Sequence, residues 1–119
     1  LYDTPSKIRK ELSSRDAVQY SNSDYFTISF DTYNDDQNGT RFIIGANGVQ
    51  SDSKIFNYYC DFNWNGVWES KVKIVEDGWI AELKIPYYNL RFPKKEKQIW
   101  GLQCARYINR LGETDTWTP

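Results

Sequence analysis

Four turn-forming dipeptides, Asn38-Gly39, Asn47-Gly48, Asn65-Gly66 and Asp77-Gly78, limit what this chain can fold into more than any other feature. A type I′ hairpin turn needs positive φ at both central residues, and these residue types tolerate that best. Intervals of 9, 18 and 12 residues suit short strands joined by tight turns and are too short for strands alternating with crossover helices. The spacing predicts an antiparallel, all-β domain.

Alternation of side chains supplies the strands. Over residues 24–33, Phe26, Ile28 and Phe30 point one way while Tyr25, Thr27, Ser29 and Asp31 point the other. Residues 41–46 return through Phe42 and Ile44, and residues 54–62 form an aromatic-rich strand. Residues 67–75 pair across Asp77-Gly78 with 79–85, where Trp79, Ala81, Leu83 and Ile85 form the inward face and Pro86 ends the strand. Residues 98–111 give the last long strand, with Trp100, Leu102, Cys104 and Ile108 on one side. About six strands at this spacing predict a two-sheet antiparallel β-sandwich of jelly-roll-like type. Thr4-Pro5 reads as a cap and first position of one short N-terminal helix over residues 6–12, with Ile8 and Leu12 four apart.

At 119 residues there is room for one core, hence a single domain over residues 1–119. The chain contains no methionine and opens on Leu1-Tyr2-Asp3, which reads like the end of a strand. It is expected to be part of a longer protein, with strands before Leu1 missing from the fold. Such a sheet would expose unpaired backbone, so self-association through that edge is expected.

Composition closes several functional classes. Fifteen basic against sixteen acidic residues leave no overall field to draw the chain to nucleic acid. With no histidine, Ser-His-Asp and Cys-His catalysis, His-ligated zinc and His-ligated haem are excluded. No phosphate loop or nucleophile elbow occurs, so the chain reads as a non-catalytic module. Cys60 and Cys104 lie in predicted strands, and their spacing leaves open whether they pair.

Two groups of side chains are candidates for binding. Indole rings suit the C–H faces of a pyranose, and neighbouring charged or amide groups can fix its hydroxyls. Trp64 and Trp68 flank Asn65-Gly66, and Trp117 lies beside Glu113 and Asp115. Two roles are open to the first pair: display to a ligand, or packing over the end of a sheet. Arg106 and Arg110 with Glu113 form either a polar binding patch or an ion-pair ladder. Asp31, Asp35, Asp36 and Asn38 supply hard oxygen ligands of the kind calcium uses, although not at the spacing of a helical calcium loop.

The residues Asp31 to Asp35, Gly48 to Asp52, Asp61 to Trp64 with Val67-Trp68, Gly78-Trp79 with Glu82, Ile85-Pro86, Leu90 to Pro93, Trp100-Gly101, Arg106, Arg110, Glu113 and Trp117 to Pro119 carry a resemblance. From about Arg15 to its end, the chain resembles the N-terminal domain of a group of bacterial proteins. That domain is similar to family 9 carbohydrate-binding modules, within the DOMON-like β-sandwiches. The resemblance implies a glycan-binding module, or alternatively a structural or interaction domain without a sugar site, in an exported protein of the periplasm, outer membrane or cell surface. The rest of that envelope protein would then be a partner. Sugar-binding members carry a tryptophan near Tyr20 or Ser21, a glutamate near Thr27 and an arginine at Ile43, which this chain lacks. No cofactor is implied beyond the calcium reading.

Overall fold

A computed structural model describes residues 2–8, 10, 23–33, 35, 38–56, 59–61, 66–90, 94 and 96–117, with backbone alone at 56 and 59–61. The strands are β1 (Tyr25–Asp31), β2 (Asn38–Gly45), β3 (Gln50–Phe56), β4 (Tyr59–Asp61), β5 (Glu69–Val75), β6 (Gly78–Lys84), β7 (Gly101–Ile108) and β8 (Glu113–Trp117). They form two antiparallel sheets, one of six strands in the order β4-β3-β2-β1-β7-β8 and the other the β5-β6 hairpin. The architecture is mostly β and sandwich-like, and no α-helix occurs among the described residues.

The core lies between the sheets, as the alternation required. Pairing of Phe26 with Ile44 and Ile28 with Phe42 puts these side chains on one face. There Phe42 and Ile44 are fully buried and join Trp68 and Leu90, with Phe26, Ile28, Phe30, Val72, Ala81, Leu83, Ile85 and Trp100 packed around them. Phe42 takes Phe30 and Trp68 edge-on, with ring centroids 6.2 and 5.3 Å away. A second cluster of Ile8, Ala46 and Trp79 seals one end. The hairpin turns Val72, Ile74, Trp79, Ala81 and Leu83 inward and Glu69, Lys71, Lys73, Glu82 and Lys84 outward.

Several boundaries differ from the sequence expectation. The stretch read as one strand over 54–62 is two: β3 ends at Phe56, and β4 folds back so that Ile55 meets Cys60. β3 also begins earlier, because its polar Ser51, Asp52 and Ser53 are buried rather than forming a loop. Residues 98–111 divide into β7 and a 3-10 turn, Asn109–Leu111. Gly112, at φ 61°, then reverses the chain into β8. Among the described residues, eight strands thus replace the expected six or so.

Asn38-Gly39 lies inside β2, and the β5–β6 turn is Glu76-Asp77, with Gly78 already paired to Val75. Only Asn47-Gly48 among the described pairs makes its turn where expected, with Gly48 at φ 84°. The expected N-terminal helix is a 3-10 turn, Pro5–Lys7, and the far end of that prediction lies outside the described residues. Ile8 leaves the turn in extended conformation and is buried beside Trp79, so tertiary burial outweighs local helix signals.

Candidate functional site

One end of the sandwich gathers aromatic and apolar side chains at its surface. Pro86 stops the β6 pattern, and the chain makes a 3-10 turn, Tyr87–Asn89, closed by bonds from Asn89 N–H to Pro86 O at 3.1 Å and Leu90 N–H to Tyr87 O at 2.9 Å. Two successive tyrosines in so tight a turn cannot both face inward, and Tyr87 and Tyr88 are 72% and 74% exposed. Asn89, in contrast, is buried and brackets Val67: its Oδ1 accepts the Val67 N–H at 3.1 Å and its Nδ2 donates to the Val67 carbonyl at 2.7 Å. Val67 and Ile99 stay exposed, while Trp100 meets Tyr87 edge-on at 6.3 Å and Phe30 at 6.2 Å.

The frame below this surface is polar and fixed. Asp52, fully buried on the inner face of β3, accepts the Trp68 Nε1–H at 2.9 Å and the Gly66 N–H at 3.3 Å through Oδ2. Gln50 Nε2 donates to the Trp68 carbonyl at 3.1 Å and to Ser70 Oγ at 2.9 Å, tying the two sheets together. Where β5 starts and β6 ends, Glu69, Ser70, Lys71, Glu82, Leu83 and Lys84 line an open hollow of about 740 Å³. Exposed aromatic rings can stack on a sugar ring, and charged groups of both signs can hydrogen-bond its substituents.

Of the residues singled out from sequence, the β7–β8 register sets Arg106, Glu113 and Trp117 on one face, whereas Trp68 lies elsewhere. Trp68 faces the core at 6% exposure, which removes it from any surface ligand, and Trp64 lies outside the described residues. Arg106 and Arg110 hold the N-terminal segment. Arg110 hydrogen-bonds and ion-pairs with Asp3, while Arg106 donates to the Tyr2 carbonyl at 2.9 Å and lies 4.0 Å from the Asp3 carboxylate. Of the two roles open to these arginines, they occupy the ion-pair one. Glu113 and Trp117 lie on β8, whose five residues are all exposed; among the described residues Trp117, at 55% exposure, is the singled-out tryptophan that reaches solvent.

The bond from Arg110 holds the Asp3 carboxyl below the usual carboxylate range against the opposing effect of desolvation, assisted by the Thr4 N–H and the nearby positive charges. A carboxyl more acidic in the folded chain adds stability above its unfolded value of about 4 and loses that contribution as pH falls through the folded value. Asp3→Asn is therefore expected to lower the denaturant midpoint at pH 7 and to narrow the difference between pH 7 and pH 3. Urea titrations at the two pH values check this, with the modest size typical of partly exposed pairs.

The oxygen-rich turn is spent on its own backbone. Asp31 Oδ1 accepts the Asp35 N–H at 3.3 Å, and Asp35 accepts the Asn38 N–H at 3.0 Å and the Asn38 Nδ2 at 3.1 Å. Asp36 lies outside the described residues, among which no three His, Cys, Asp or Glu side chains are placed to hold an ion. Cys104 is a free thiol, its pKa raised by burial, and the Cys60 side chain is not described. Sequence reasoning missed Tyr87 and Tyr88, for which the available signal was a proline followed by two aromatics without strand alternation. No protein-family model, curated protein or solved structure matches the chain.

Proposed function

We propose that the chain is a non-catalytic, jelly-roll-like module of carbohydrate-binding type from an exported bacterial protein, which holds a glycan through surface aromatics. The carrying observation is the pair Tyr87 and Tyr88, solvent-facing on a turn locked by Asn89. A turn whose backbone is already held needs no ordering on binding, so less of the stacking energy is lost to that cost. The order of residues that resembles family 9 modules supports the same reading. It also supports an envelope location with the rest of a longer protein as partner.

The test is titration of plant and microbial oligosaccharides, followed by intrinsic fluorescence and calorimetry. Binding is expected, and Tyr87→Ala and Tyr88→Ala are each expected to weaken it by roughly 2- to 12-fold, the value of one aromatic contact of about 0.5–1.5 kcal/mol. A second reading, a structural or protein-interaction domain without a sugar site, is favoured by the internal use of Trp68, Arg106 and Arg110. Silence across the whole glycan panel would select it.

A further inference from the structure

Alternation along β5 sets Ser70, Val72 and Ile74 on its inner face. Trp79, the cross-strand partner of Ile74, is fully buried, yet these three side chains are only half-buried. They line a hollow of about 480 Å³, completed by Ala46, Asn47 and Gly48 of the β2–β3 turn and by Lys10, which is exposed. The turn is held by its own bonds: Gly48 N–H donates to Gly45 O at 2.9 Å, Gly45 N–H to Val49 O at 3.0 Å, and Val49 N–H to Asn47 Oδ1 at 2.9 Å. This wall is formed before any ligand arrives.

The hollow joins an apolar floor to hydrogen-bond donors. Ala46, Val72 and Ile74 pack with Trp79 in one cluster and offer hydrocarbon. Ser70 Oγ already accepts the Gln50 Nε2–H at 2.9 Å, which leaves the hydroxyl proton to donate. Lys10 brings a positive charge and three donors but no acceptor. Behind the lining, the Trp79 Nε1–H is buried without a hydrogen-bond partner. Buried donors are nearly always paired, so this end of the core holds a donor that its own side chains leave unmatched.

We infer that the hollow is a binding site for a small aliphatic carboxylate, its chain on Ala46, Val72 and Ile74 and its charged head on Lys10 and the Ser70 hydroxyl. The volume lies within the range of small-molecule sites, about 300–1,000 Å³. An ionised carboxylate only accepts hydrogen bonds, which matches side chains that donate, and its charge complements Lys10. An alkylamine of the same length would meet Lys10 with like charge. The glycan reading rests on Tyr87 and Tyr88, so a silent oligosaccharide panel leaves this inference standing.

Calorimetric titration with butyrate, hexanoate and octanoate, beside octanol and octylamine at concentrations below micelle formation, tests it. Carboxylates are expected to bind, more tightly by up to about fourfold for each methylene added, and more tightly than the amine. Tryptophan emission is expected to change on binding in the parent and not in Trp79→Phe. Lys10→Gln is expected to weaken octanoate about two- to fivefold without changing octanol, the size of an exposed charge contact. Val72→Phe, which fills the floor, is expected to weaken both by tenfold or more; if it fails to fold, the exposed Lys10 position decides alone. Absence of binding by every carboxylate, equal binding of octylamine, or octanoate affinity unchanged in Lys10→Gln would each overturn the inference.

Discussion

Replacing Asp52 with alanine is expected to destabilise the fold by about 2–6 kcal/mol, since it strands two buried N–H donors at roughly 1–3 kcal/mol each. The donors are the Trp68 indole and the Gly66 backbone, and the carboxylate they share is fully buried. Asp52→Asn keeps one acceptor oxygen and is expected to lose less. Urea unfolding at pH 7 measures both. A double-mutant cycle with Trp68→Phe isolates the indole bond, with a coupling of about 0.5–3 kcal/mol expected for partners in one network. An alanine variant as stable as the parent would show that this carboxylate does not hold Trp68.

Phe42→Ala is expected to cost about 3–5 kcal/mol, the range for removing a buried phenyl ring from a core that relaxes only in part. Phe42 is fully buried and contacts both layers, with Phe30 beside it in its own sheet and Trp68 entering ahead of β5. Phe42→Leu retains most of the volume and is expected to cost less than half as much. In thermal melts the alanine variant should fall by more than about 10 °C. Loss of secondary structure in the same transition would distinguish a shared core from two independent layers.

The strands whose apolar residues alternate were legible in the sequence. β1, β6 and β7 follow period-two patterns in sequence, and register sets their expected residues on the inner face, while β2 buries Phe42, Ile43 and Ile44 in succession. β3 was not legible because Ser51, Asp52 and Ser53 look like a loop, and only partners remote in the chain allow such residues to be buried. The same reason hid the role of Trp68. An indole beside a turn signals either display or packing, and what decides is a carboxylate sixteen residues away. Arg106 and Arg110 were both read as lying on the last strand; Arg106 does, Arg110 sits in the 3-10 turn after it, and their partner Asp3 is more than a hundred residues distant. Exposure at Tyr87 and Tyr88 was readable from local chemistry alone, since a two-aromatic turn after proline has nowhere to hide both rings.

The strand order of the large sheet carries a kinetic consequence. β1 to β4 form a meander whose neighbours are successive in the chain, whereas β7 meets β1 by pairing Tyr25 with Tyr107 and Asp31 with Gly101, 82 and 70 residues apart. Closing so long a loop carries the larger chain-entropy cost, so the meander assembles first and the β1–β7 seam forms late, setting the overall rate. Until the seam closes, the β1 edge is open to any other strand, and refolding yield should fall as protein concentration rises.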